Sequence, residues 1–202
     1  MKAISLWQPW ATAVALELKP HETRHWSTSY VGPLAIHAAK KATGEQRDLF
    51  TQFLMNSQIR GAMMQHWYHS FDNLPFGAIV AVCKLVYCVP THEQVRHITE
   101  TDRLLGDWSD GRYAWRLQNV VMLPQPIPYK GRQGFFNVDH SRFFDLKNWE
   151  ALPLTREIQA PGHDIKQVCG QMGVKCQKCF EAGTGPCGQY FTVATIKGVT
   201  DE

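Results

Sequence analysis

The sequence predicts an α+β fold: a small β-barrel flanked by helices, followed by a Cys-rich C-terminal extension. Three observations carry this. Gly77 to Val89 is a nearly unbroken apolar run of thirteen residues, long enough to curve along two sides of a barrel. The other strand signals are short and are separated by helical patterns of irregular length, unlike the regular alternation of a doubly wound sheet. Beyond about Asp145, Pro153, Pro161, Gly170, Gly173, Gly183 and Pro186 leave little room for regular structure until a strand signal at Tyr190 to Ile196. The chain therefore divides into a domain over 1–145 and a Gly/Pro/Cys-rich extension over 146–202.

Ala3 to Trp7 is short and apolar, as a buried strand should be. Gln8-Pro9-Trp10 opens a helix with proline in its first turn, and Trp10, Ala13 and Val14 trace its inner stripe. Trp7 and Trp10 flank this strand-to-helix junction, where large rings fill cores. A strand follows from His21 to Trp26, then a polar loop, then a buried strand at Leu34 to Ala38. From Gly44 to about Ser70 the pattern is helical, with Leu49, Phe53, Met64, Trp67 and Phe71 as core positions and Gly61 as the break. After the long strand, Thr91 reads as the N-cap of a short helix reaching Ile98. Asp107 to Gly111 is a turn and Arg112 to Val120 a strand. Pro124, Pro126 and Pro128 should interrupt the chain beyond it, leaving a short edge strand at Ile127 to Lys130 and a last one at Phe135 to Val138.

A hydrophobic fraction of 44% against 19% charged residues is ordinary for a globular chain and argues against disorder. No apolar run reaches eighteen residues and no secretory leader pattern opens the chain, so the expectation is a cytoplasmic protein with no membrane contact. A formal charge of +3 demands no broad footprint for duplex nucleic acid, though a local basic groove is compatible with it.

The most informative segment is Lys19-Pro-His-Glu22-Thr-Arg24-His-Trp26. As a strand, its period of two sets Glu22, Arg24 and Trp26 on one face and His21, Thr23 and His25 on the other. One face then offers a carboxylate acceptor, a guanidinium fork and a stacking plane, which together suit a nucleobase. The plainer alternative is a solvated edge strand with a surface ion pair. Gln8 has an amide that could read a base edge, and Trp115 is either a core ring or a second stacking wall. His37 reads as a satisfied core or wall histidine.

Cys83 and Cys88 fall in the long strand, five residues apart and on opposite faces, as buried small hydrophobes do. Cys169, Cys176, Cys179 and Cys187 follow a C-x6-C-x2-C-x7-C spacing. Four clustered thiolates with Gly-rich connections suit a tetrahedral structural zinc, and no organic cofactor is expected.

Ile4-Ser-Leu-Trp-Gln-Pro-Trp-Ala11, the Lys19-x-x-Glu22-x-Arg24 spacing and Gly32-Pro-Leu-Ala-Ile-His-Ala38 together resemble the ASCH domain family of the PUA-like superfamily. The likeness extends through Gly77 to Val82 and Tyr113 to Trp115 and covers about 2–140. It implies a small PUA-like barrel whose cleft faces the Lys19 to Arg24 segment, and a link to RNA or modified nucleobases. The family's usual glycine two residues before the motif lysine is Glu17 here, and the basic residue before Gly-Pro is Val31. Some ASCH-like proteins hydrolyse N4-acetylcytidine with a lysine, a threonine three residues later and a glutamate elsewhere. Here Lys19 is retained and the threonine position is Glu22, while Glu93 and Glu100 are candidates for the distant glutamate.

The leading expectation is a domain that binds single-stranded RNA or a modified nucleobase through Gln8, Lys19, Glu22, Arg24, Trp26 and Trp115. The second is an amidohydrolase of an N4-acylated cytidine or related nucleoside, with Lys19 and Glu22 catalytic. The third is a protein-interaction domain whose Cys-rich extension docks a protein partner.

Overall fold

A computed structural model describes residues 1–139. The proposed zinc ligands Cys169, Cys176, Cys179 and Cys187, the Tyr190 to Ile196 strand and the extension that holds them lie outside the described residues. Six strands form one mixed sheet: β1 (Lys2–Leu6), β2 (His21–Arg24), β3 (Gly32–Ala38), β4 (Ala78–Pro90), β5 (Tyr113–Pro128) and β6 (Phe135–Asn137). Their order is β2-β5-β4-β3-β1-β6, with β1 and β3 parallel and every other pair antiparallel. Five helices accompany them: α1 (Trp10–Ala15), α2 (Gly44–Phe53), α3 (Ser57–Gln65), α4 (Thr91–Gln94) and α5 (Glu100–Leu105). This is a half-barrel with helices against it, an α+β arrangement of the PUA-like kind. No helix among the described residues is long and apolar enough to cross a membrane.

β4 has the predicted thirteen residues and serves both neighbours, pairing with β5 along its length and with β3 over Ala78 to Leu85. Three register shifts against β5 bend it. The inner core joins Ile4, Leu6, Val14, Leu34, Ile36, Leu85 and Trp115, with α1 laid over it. The segment leaving β2 returns to β6 through rings: Trp26 meets Trp115 at 4.5 Å and Phe135 at 5.3 Å between centroids, both edge-on. A second cluster, including Leu18, Phe50, Phe53, Ile59, Met63 and Leu105, ties α2, α3 and α5 to the end of α1.

Several elements differ from expectation for identifiable reasons. The helical region breaks at Leu54 to Asn56, where the Asn56 side chain accepts from Gln58 N and Ile59 N and restarts the helix; Gly61 lies inside α3. That phase buries Met63 in place of Met64 and leaves Trp67 36% exposed. Thr91 is no N-cap, because its hydroxyl meets the carbonyls of Ser109 and Arg112. α4 stops at Gln94, and a separate α5 begins after Thr99, whose hydroxyl accepts from Asp102 N. β5 is one strand of sixteen residues running through all three prolines. Between the pairs Ala81↔Met122 and Ile79↔Ile127 it carries extra residues, so Pro124 and Pro126 fall in a bulge where no ladder donor is required.

Candidate functional site

α1 delivers the chain to the motif through a turn whose hydrogen bonds run from Leu18 N to Ala13 O and from Glu17 N to Val14 O, both 2.9 Å. This is a Schellman motif, and its left-handed position is Glu17, with φ of 60°. The turn is therefore built as a glycine would build it, by a residue that pays a steric cost for the conformation. Lys19 follows directly, and β2 then alternates as predicted, His21 and Thr23 buried, Glu22 and Arg24 half-buried.

Lys19, Glu22 and Arg24 share one cleft of about 350 Å³. Lys19 is 1% exposed, its Nζ 3.7 Å from Glu22 Oε2. The other Glu22 oxygen stands 3.0 Å from Arg24 Nε, and Arg24 Nη2 donates to the Ser5 carbonyl at 3.0 Å. The carboxylate thus lies between two cations. Burial holds the Lys19 pKa below the ordinary ammonium range, opposed by the Glu22 and Asp102 carboxylates. Nζ has no hydrogen-bond partner among the described residues. A buried ammonium in that condition is poised to donate to a ligand oxygen, and the neutral amine to accept a proton.

Behind β2, His21 Nδ1 and Asp102 Oδ2 form a buried contact of 2.6 Å. Trp108 Nε1 donates to the Asp102 carbonyl, and Asp107 N donates to Thr23 Oγ1 at 3.0 Å. These bonds bring α5 and the turn after it against the motif, so Leu104, Leu105, Gly106 and Asp107 line the cleft. Arg112 closes that end, its Nε 3.3 Å from Asp107 Oδ2 and its Nη2 donating to the Thr23 carbonyl. Neither Glu93 nor Glu100 lines the cleft.

The remaining predicted residues take structural positions. Gln8 is fully buried: its Oε1 accepts from Thr12 N at 3.1 Å and its Nε2 donates to the Pro75 carbonyl at 2.6 Å, which ties down the start of α1 and leaves no free amide edge. Trp115 is 0% exposed and stacks on Phe135, so of its two readings the core one describes it. Trp26 packs on the same cluster and does not line the cleft. His37 donates from Nε2 to the Tyr129 carbonyl at 3.0 Å, which leaves Nδ1 as an acceptor facing Ser5 Oγ at 3.1 Å. Burial lowers its pKa, in keeping with a neutral, satisfied wall histidine.

The aromatic surface comes from a residue assigned to the core. Trp7 is 46% exposed at the cleft and Trp10 is half-buried beside it, edge-on to Phe53 at 5.9 Å. The motif Leu6-Trp7-Gln8 points its middle residue outward while its neighbours are buried, the period-two signal that apolarity alone concealed. Asp107 was legible only as a turn residue and Arg112 only as the start of a strand, because their approach to β2 depends on contacts more than eighty positions apart in sequence.

A model of the ASCH domain family matches residues 4–127. The crystal structure of ASCH from Zymomonas mobilis is similar with a TM-score of 0.42 and 13% identity, covering 75% of this chain and 94% of that one. A single-site mutant of it gives 0.41 and 12%, covering 75% and 96%, and a second mutant 0.40 and 12%, covering 68% and 87%. No curated protein sequence matches the chain. With the motif, the half-barrel and the family model in register over residues 4–127, the chain belongs to the ASCH domain family.

Proposed function

We propose that the cleft binds a nucleobase, presented by single-stranded RNA or by a modified nucleoside. The observation that carries this reading is the Lys19-Glu22-Arg24 cluster set in one cleft with the exposed ring of Trp7. Glu22 accepts from an exocyclic amine, Lys19 and Arg24 donate to carbonyl or phosphate oxygens, and a tryptophan face stacks on any base. A volume of about 350 Å³ is at the small end of ligand pockets and suits one base better than a folded RNA element.

A second reading, hydrolysis of an N4-acylated cytidine, draws support from Lys19. Its lowered pKa favours a neutral amine that takes a proton from water; hydroxide then adds to the acyl carbonyl, the C–N bond breaks, and the proton passes to the leaving amine. The hydroxyl nucleophile of the related hydrolases has no counterpart: position 22 is glutamate, and Thr23 Oγ1 is engaged by Asp107 N.

One assay separates the two. The full chain is incubated with a panel of modified ribonucleosides, and retained ligand and released product are read by mass spectrometry. Retention without turnover is expected, with Glu22→Gln losing at least tenfold in affinity while remaining folded. Glutamine is the informative replacement, because it removes the charge while keeping the side chain's volume and one acceptor oxygen beside buried Lys19, whereas alanine would also leave a cavity. Equal retention by wild type and Glu22→Gln removes Glu22 from recognition, and acyl release by wild type transfers the conclusion to the hydrolase.

A further inference from the structure

Resting on the base-binding reading, we infer that Trp7 is the stacking residue and Lys41 the phosphate partner, so that the cleft takes a base together with its 5′-phosphate rather than a free base or nucleoside. Tryptophan rings are costly to expose, and this one is 46% exposed where it lines the cleft. The rings expected to stack are engaged in the core, Trp115 stacked on Phe135 and Trp26 edge-on to both. Trp7 therefore presents the plane against which a flat ligand in this cleft can lie.

Lys41 gives the plane a chemical direction. Its Nζ stands 5.7 Å from the Trp7 ring centroid, on an exposed side chain just beyond β3. The ammonium and the ring form a cation–π contact in the free protein, a weak interaction at an exposed site and one that a phosphate replaces with a stronger, charge-assisted bond. Inside the cleft, Arg24 and Arg112 each have an acid partner, Glu22 and Asp107 respectively. Lys41 therefore supplies positive charge beside the stacking plane that those inner pairs do not consume. A nucleotide places its base and its phosphate one sugar apart, which matches a stacking ring with a cation at its margin.

The phosphate comes from a free nucleotide or from an RNA backbone, and the test separates these sources. Binding of the four common ribonucleosides, their 5′-monophosphates and unphosphorylated tetraribonucleotides is measured by calorimetry on the full chain, in low and moderate salt, for wild type, Trp7→Ala, Trp7→Phe and Lys41→Gln. At least one 5′-monophosphate should bind tenfold or more tightly than its nucleoside. Lys41→Gln should shrink that ratio to about twofold and leave the nucleoside unchanged; Trp7→Ala should weaken both ligands at least tenfold, with Trp7→Phe intermediate. Preference for the tetranucleotide over the monophosphate assigns the phosphate to a strand. Equal binding of nucleoside and monophosphate, or a ratio that Lys41→Gln leaves intact, overturns this inference while the base-binding reading stands. Absence of binding by every ligand overturns both.

Discussion

Lys19 is a residue at which folding and function pull apart. Desolvation of its ammonium is only partly offset by a carboxylate 3.7 Å away. Buried ion pairs of this kind are commonly no more stable than apolar residues of similar size. With the desolvated ammonium gone and Glu22 still beside Arg24, Lys19→Met is expected to leave the unfolding free energy unchanged or raise it in urea titrations while abolishing ligand retention. The pH dependence carries the same signature. A lysine whose folded pKa is lowered holds fewer protons folded than unfolded between that value and 10.5, so its contribution makes stability rise with pH across this window. Cys83 and Tyr30, whose pKa values burial raises, act in the opposite direction above about pH 9 and pH 10 respectively. The Lys19 part is thus read as the difference between wild type and Lys19→Met, which should narrow steadily as pH rises toward 10.5. A difference independent of pH would mean that Lys19 titrates alike in both states.

The α1 turn shows what an element requires of its sequence. The Schellman hydrogen bonds demand a left-handed residue at position 17, and glutamate supplies it with a Cβ in the way. Glu17→Gly should stabilise the domain by about 1 kcal/mol, a rise of several degrees in the melting temperature, with ligand affinity unchanged because Glu17 does not line the cleft. A fall in melting temperature would show that the exposed side chain has a compensating partner. The same turn shows where local reading of a sequence succeeds. The β4 run, the alternation of β2 and the α1 stripe were legible because each is written in consecutive residues. The division of α2 from α3 and the continuity of β5 through its prolines were not, since an asparagine cap and a sheet bulge decide them. Apolarity marked Trp7 as core, yet half of it faces the cleft. For Trp115 it left core and wall open, and packing against Trp26 and Phe135 decides for the core.

At the scale of the molecule, the cleft forms because two distant segments meet over the motif: the Ser5 to Trp10 junction on one side, and α5 with the Gly106 to Arg112 turn on the other. Half of the cleft was thus written in the Lys19 to Arg24 spacing, and half arises only when Thr23, Asp107 and Arg112 are brought together. The curve of the sheet that allows this is held by rings between the end of β2 and β6. Trp26→Ala should cost about 3 kcal/mol in stability, seen as a lower urea midpoint. An unchanged midpoint would detach Trp26 from closure. For the extension, the spacing of Cys169, Cys176, Cys179 and Cys187 leads to one zinc per chain in protein never exposed to chelator, measured by elemental analysis. Less than stoichiometric metal there would sink the assignment.

The burial of Lys19 also makes it a chemical address. Lys19 lines the cleft with its Nζ buried, and an amine with a lowered pKa loses its proton at pH values where the exposed lysines remain protonated. A small acylating reagent at mildly alkaline pH should mark Lys19 only as the cleft opens to it, peptide mapping should locate the mark, and a bound ligand should slow it further. That footprint reports occupancy of the cleft before the ligand has been identified.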